Sequence, residues 1–219
     1  MVVRKPPGML VHRGMGASRD ETFLLQAVRD LFGERIYPVH RLDRPTSGLV
    51  VFARNSDASR ILQESWKAGV VRKTYLAIAR GWMPETSGIR DEALDDPDSG
   101  ILHEAQSAWR ELDRCEVPCP LPHSKHPTSR FCLVELEPLT GRWHQLRRHF
   151  SRMQHPLAGD TTHGDRHVNH FLQEQFGWWR LMLWAHRLEF PHPTTSRLAV
   201  FQDDPASGLA PWWETLKQA

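Results

Sequence analysis

The stretch Ile36-Tyr37-Pro38-Val39-His40-Arg41-Leu42-Asp43-Arg44-Pro45-Thr46-Ser47-Gly48-Leu49-Val50-Val51-Phe52-Ala53-Arg54 reads as two β-rich runs around a turn. Branched and aromatic residues predict a strand over Ile36–Arg41 and another over Leu49–Arg54. Leu42 to Gly48 between them holds Asp, Pro, Thr, Ser and Gly, the residues of turns. Asp43 stands there between Arg41 and Arg44. Nearby cations favour the ionised carboxylate, and a carboxylate so held can act as a nucleophile. A purely structural ion-pair turn would carry the same residues.

Outward from this hairpin, apolar residues at helical spacing predict a helix over 20–32, with Asp20 as cap and Gly33 at its exit. A second helix is expected over Ser56–Ala68, stopped by Gly69, and a strand over Val70–Arg80 on which Lys73 and Tyr75 share a face. Residues 84–104 are acidic and read as irregular. Strands are expected at Ala105–Leu112 and Phe131–Leu136, separated by a loop insertion at 115–129 that holds four prolines. A helix is expected over Arg142–Met153, strand-like text returns at 181–190 and 195–201, and Trp212–Leu216 reads as helical. Strands outnumber helices without alternating regularly, which predicts an α+β fold on a mixed, largely antiparallel sheet flanked by helices.

Two further segments carry chemistry. In Gly141-Arg142-Trp143-His144-Gln145-Leu146-Arg147-Arg148-His149-Phe150, helical periodicity puts Trp143, Leu146, Phe150 and Met153 on one stripe. Arg148 falls opposite the stripe and is expected to meet solvent or phosphate. Arg147 falls on its shoulder and points partly inward, where it needs a carboxylate; Asp43 is the candidate, and an arginine reaching out to solvent is the alternative. In Lys73-Thr74-Tyr75, one of only two tyrosines could stack on a base or move a proton, or simply sit half-buried at a sheet edge.

The 219 residues, 40% hydrophobic and 25% charged, suit one soluble domain. No apolar run approaches bilayer length, and no leader is apparent. Cys115, Cys119 and Cys132 are too few, and odd in number, for a disulfide framework, so a cytoplasmic setting is expected. The net charge of +2 hides segregation. Residues 1–83 hold 14 basic and 7 acidic side chains, 84–116 hold 3 and 10, and 130–187 hold 8 and 5. The two basic blocks predict one RNA-facing surface; solvated charged faces would look alike. Of the 28 basic residues 23 are Arg, whose planar fork grips phosphate, although a GC-rich genome also inflates Arg. Zinc is a weaker reading: Cys115, Cys119, His123 and His126 match no familiar finger spacing, and His163, His167 and His170 could line a helical face. Asp160 could pair with Asp43 in a glycosidase, and a non-catalytic RNA-binding module would keep the basic blocks without needing Asp43.

Taken together, His40-Arg41-Leu42-Asp43 with Thr46-Ser47-Gly48, then Lys73-Thr74-Tyr75, then Gly141-Arg142-x-His144-Gln145-Leu146-Arg147 resemble the three motifs of the RluA-type pseudouridine synthases, in that family's order. The finer text, Leu133 to Pro138, Arg147-Arg148-His149, and Gly159-Asp160 through His163-Gly164-Asp165, resembles the TruC subgroup, which acts on uridine 65 of tRNA. The resemblance spans roughly residues 4–200. It implies the pseudouridine synthase catalytic fold as a single domain over 1–219, without an S4-type RNA-binding domain. It makes Asp43 the nucleophile, Arg147 its ion-pair partner, Tyr75 the residue on the uracil, and Leu146 the floor of the pocket. Arg41 would hold the flipped nucleotide, and Arg44, Lys73, Arg142, His144 and Arg148 would contact RNA. Breaking N1–C1′ and joining C5 to C1′ changes no oxidation state, so no cofactor or metal is expected. The partner is tRNA, with no membrane and no obligatory protein partner, and the setting cytoplasmic.

Overall fold

The computed structural model describes residues 1–13, 22–121, 125–204, 206 and 208–219. The chain runs through β1 (Val2–Lys5), α1 (Leu24–Phe32), β2 (Tyr37–Pro38), β3 (Ser47–Ala53), α2 (Ser56–Lys67) and β4 (Arg72–Arg80). It continues with β5 (Ser87–Asp91), β6 (Leu94–Asp95), β7 (Leu102–His103), β8 (Gln106–Val117) and β9 (Ser129–Pro138). It ends with α3 (Gln145–Arg152), α4 (Arg166–Phe176), β10 (Leu183–Pro191), β11 (Leu198–Gln202) and α5 (Ala210–Gln218). The fold is α+β, with mostly antiparallel strand pairing. The chain divides into two compact units, 1–73 with 185–203, and 74–184 with 204–219. Among the described residues no helix is long and apolar enough to cross a membrane.

In the first unit β3 pairs antiparallel with β1 (Val2↔Val51) and with β2 (Tyr37↔Ala53), and β10 pairs antiparallel with β11. Leu49, Val51, Leu62, Val71, Leu188 and Phe190 form its core. The expected strand over Ile36–Arg41 shrinks to two residues. Pro38 has no N–H to offer a ladder, and beyond it the His40 ring, not backbone, takes the N–H of Val51 (Nε2, 3.0 Å). The expected helix over 20–32 starts at Leu24, because carbonyls of Leu10 and Val11 accept the N–H groups of Leu24 and Leu25 (3.0 and 2.9 Å) and so end the first turn; Asp20 lies outside the described residues. The helix does end at Gly33, which adopts φ 63°. Helix α2 starts where Asn55 Oδ1 accepts the N–H of Ala58 (2.8 Å).

The second unit is built on β4, β9, β8 and β5, paired in that order and antiparallel throughout. Two apolar clusters fill it, one around Ile78, Phe131, Leu172, Trp184 and Trp213, the other around Val134, Leu136, Leu146, Phe150 and Leu183. The segment 84–104 is not irregular throughout: it supplies β5, β6 and β7. Ser87-Gly88-Ile89 has little strand propensity, and pairing with β8 overrides it. The loop expected over 115–129 is shorter than that, because Cys115, Glu116 and Val117 still pair with Phe131, Arg130 and Ser129. Helix α4, capped by Asp165, places His167 and His170 on one short element; His163 precedes it. Of the residues weighed for zinc, His123 lies outside the described residues.

Candidate active site

Asp43 belongs to the first unit, in a turn closed by the Thr46 N–H on the Asp43 carbonyl (3.1 Å). Two features fix this turn. The ammonium of Lys5, fully buried, donates to the carbonyls of Pro6, Met9 and Arg44 (2.9, 2.8 and 3.0 Å). Gly8 and Arg44 add a reciprocal pair, Gly8 N–H to the Arg44 carbonyl (2.9 Å) and Arg44 Nε to the Gly8 carbonyl (3.0 Å). Thus Lys5-Pro6-Pro7-Gly8 is the clamp that holds the Arg44 backbone. Burial pushes the Lys5 ammonium down to about 8, against the opposing pull of the Asp43 charge. Where the turn re-enters β3, Gly48 has φ 115°, and a Cβ there would overlap the Ala185 carbonyl. Only glycine fits.

His40 stacks on Trp66 at 4.8 Å. Burial, and then the charge of Lys73, bring it down to about 4, so it is a neutral acceptor for Val51 and not an RNA-facing cation. Arg41 and Arg44 are exposed and Leu42 is buried beside Asp43.

The second unit carries Thr74 and Tyr75 of the next motif and the whole of the last. Tyr75 lies on β4 opposite Leu136, half-buried against the cluster that contains Leu146. Helix α3 begins later than periodicity predicts because His144 takes φ 49°, a left-handed conformation that a helix cannot continue. Gln145 holds that start in place. Its Oε1 accepts from Thr140 Oγ1 and the Arg142 N–H (2.7 and 3.0 Å), and its Nε2 donates to the Gln106 carbonyl and Ser107 Oγ (2.8 and 3.0 Å).

Arg147 points inward, as the periodicity predicts, and only 1% of it is exposed. It makes a parallel fork with Asp160: Nε to Oδ2 and Nη2 to Oδ1, both 2.8 Å. Asp160 Oδ1 also accepts the N–H groups of Thr162 and His163 (2.9 and 3.0 Å). Burial raises its pKa, but the Arg147 fork and those two N–H groups outweigh it and keep the carboxyl below the usual range. Asn169 ties the turn to α4, donating to the Asp160 carbonyl and accepting from Gly159 N–H (2.8 and 3.0 Å). In the sequence Asp160 is a candidate second glycosidase carboxylate and part of the subgroup text at Gly159-Asp160; the structure makes it a partner of Arg147. The signal was present in Gly159-Asp160-Thr161-Thr162-His163, an acid followed two and three residues later by N–H groups it can accept.

Arg148 does not meet solvent. It is buried, bound to the Asp95 carbonyl (2.7 Å) and to the Asp95 carboxylate. Periodicity along α3 puts Arg148 on the outer face, and the 94–95 strand covers that side. Arg142 is exposed and donates to the Glu104 carbonyl (2.9 Å). His144 stacks under Trp143 at 3.8 Å and shares a hydrogen bond with His163 (2.9 Å). Burial first, and then the Arg147 charge, hold His144 down to about 3, so it is neutral. Among the described residues no three His, Cys, Asp or Glu are placed to hold a metal ion.

Residues 1–152 match the RNA pseudouridylate synthase family, and the chain belongs to that family of isomerases. It is similar to the protein named tRNA pseudouridine synthase C of Vibrio cholerae, 41% identical over 99% of this chain and 90% of the relative. The protein of that name from Salmonella typhimurium is 38% identical over 97% of this chain and 83% of its own. Among solved structures, human RNA Pseudouridylate Synthase Domain Containing 1 superposes with a TM-score of 0.68 at 25% identity, over 90% of this chain and 83% of that one.

Proposed function

We propose that this isomerase converts a uridine of tRNA, uridine 65, to pseudouridine in the cytoplasm, acting as a single catalytic domain. What carries the reading is the 41% identity, over nearly the whole chain, to a protein named as a tRNA pseudouridine synthase. The target uridine is everted from its stem at a cost of a few kcal/mol, offset by phosphate contacts from basic surface. The ionised Asp43 attacks the ribose C1′, or takes a ribose proton, and N1–C1′ breaks. The uracil turns while retained, and C5 bonds to C1′ as the Asp43–C1′ bond breaks or, on the other route, as Asp43 returns the proton to the ribose. The C5 proton then leaves with help from Tyr75, and N1 ends protonated, so product and substrate are isomers. Arg147 keeps Asp43 ionised, and Leu146 floors the pocket. Arg41, Arg44, Lys73 and Arg142 hold the RNA. Half-buried His144 meets it as a neutral ring, and Arg148 serves from within the protein as a buried cation.

The test is Asp43→Asn with an unmodified tRNA transcript. Pseudouridine formation is expected to vanish while tRNA binding persists. Product from the variant overturns the assignment of the nucleophile, and mapping the modified uridine to a position other than 65 overturns the target.

A further inference from the structure

The second unit has a cleft of about 760 Å³ at the far end of β4, lined by Arg80, Trp82, Arg114, Arg130, His155 and His167. Arg80 is five residues along β4 from Tyr75, about 17 Å at strand rise. No residue of the three motifs lines this cleft. Its arginines are held in set poses. Arg130 lies over the Trp82 indole at 4.2 Å from the ring centre and Arg114 at 5.3 Å. Each also has a carboxylate. Arg114 Nε donates to Glu111 (2.7 Å), Arg130 Nε to its cross-strand partner Glu116 (3.3 Å), and Arg80 Nη1 to the α4 cap Asp165 (2.9 Å). Trp82 is itself anchored by its Nε1 on the Cys115 carbonyl (3.1 Å), and Glu111 by the Met83 N–H (3.0 Å).

The Arg130–Glu116 pair is largely exposed and adds little stability, so stability does not account for Arg130 lying with Arg114 over one indole at the rim of a cleft. What the arrangement does provide is orientation. A guanidinium has five N–H donors, and these carboxylates take only one or two from each. The rest stay at solvent-accessible side chains, with Arg130 53% exposed. An arginine aimed in advance binds a phosphate oxygen pair with less ordering cost than a free one.

We propose that this cleft is a second RNA site, in which Arg114 and Arg130 grip a backbone phosphate of the substrate away from the reacting uridine. The distance from Tyr75 is one that a folded RNA bridges and a single nucleotide does not. The proposal rests on the tRNA reading above and deepens it.

The test measures binding of an unmodified tRNA transcript from 50 to 300 mM salt, and product formation at saturating enzyme. The proteins are wild type, Arg130→Gln, Arg130→Lys and Arg110→Gln. Arg110 is the control, since it forms a like cross-strand pair with Glu135 (2.9 Å) on β8 outside the cleft. Arg130→Gln is expected to lower the log–log salt slope by about 1 and to weaken binding about fivefold at 0.15 M salt. The rate at saturation should be unchanged, and Arg130→Lys should restore the slope. A wild-type slope in Arg130→Gln, or an equal loss in Arg110→Gln, overturns the cleft assignment. Failure of the wild type to convert tRNA overturns the tRNA reading instead, and is read from product, not from binding.

Discussion

Arg147 and Asp160 form a two-bond fork, each 1% exposed, with both bonds at 2.8 Å. Burying two charges is costly, and what offsets the cost is that four donors converge on the carboxylate, two from the fork and two from backbone N–H groups. The pair joins α3 to the 159–164 turn and fixes where the Arg147 head can be.

Asp160→Asn breaks this pair and leaves the guanidinium buried against a neutral group. The expected loss is about 3–5 kcal/mol, a fall in melting temperature on the order of 10 °C for a chain of this size, with activity lost as Arg147 shifts. The carboxyl is depressed in the folded state, so its contribution is complete above the unfolded carboxylate value and is lost as pH falls through the folded one. Urea unfolding at pH 7 and pH 3 should therefore show the variant's deficit narrowing in acid. A constant deficit would mean that ionisation of Asp160 is not what the fork depends on.

The motif around Asp43 and the inward aim of Arg147 are legible in the sequence because both are local: a turn after a strand, and a helical stripe. What is not legible depends on distant chain. Asp160 reaches Arg147 only because a tight turn and Asn169 hold it there. Asp95 covers Arg148 from 53 residues away. The strands at 87–103 exist through pairing and not propensity. Lys5 reads as the first residue of a proline turn, and its three carbonyl acceptors include one 39 residues on.

Gly48→Ala tests the entry to β3. A methyl group at φ 115° overlaps the Ala185 carbonyl, so either the strand moves or the backbone twists. The expected loss is about 2–3 kcal/mol in urea unfolding, with activity falling further than stability because the Asp43 turn moves with the strand. An Ala variant as stable and active as wild type would show that the close approach is absent in solution.

Lys5→Met removes the buried ammonium. In the wild type its pKa drops from 10.5 to about 8, so between these values the unfolded chain holds more protons than the folded one. Wild-type stability should then rise with pH across 8 to 10.5 relative to the variant, by about 3 kcal/mol in all. At pH 7 the variant should lose activity, since Pro6, Met9 and Arg44 lose their common donor. Parallel stability curves for the two proteins would place Lys5 in solvent.

His40 gives a slope of the same sign, in acid. Its pKa falls from 6.5 to about 4 because burial, and then Lys73, disfavour the imidazolium, and its Nε2 lone pair accepts the Val51 N–H. Below pH 6.5 the unfolded chain takes up a proton that the folded chain refuses, so wild-type stability falls as pH drops from 6.5 toward 4, by roughly 3 kcal/mol. His40→Asn keeps a short acceptor and cannot titrate there. Its stability should be lower than wild type at pH 7, since an amide fills the stack on Trp66 poorly, yet flatter between pH 6.5 and 4, so that the two curves converge in acid. Unfolding of both proteins in urea at half-unit pH steps measures this. Equal slopes would show that His40 takes a proton in the folded protein as readily as in the unfolded one, and that the hydrogen bond to Val51 does not hold the motif in place.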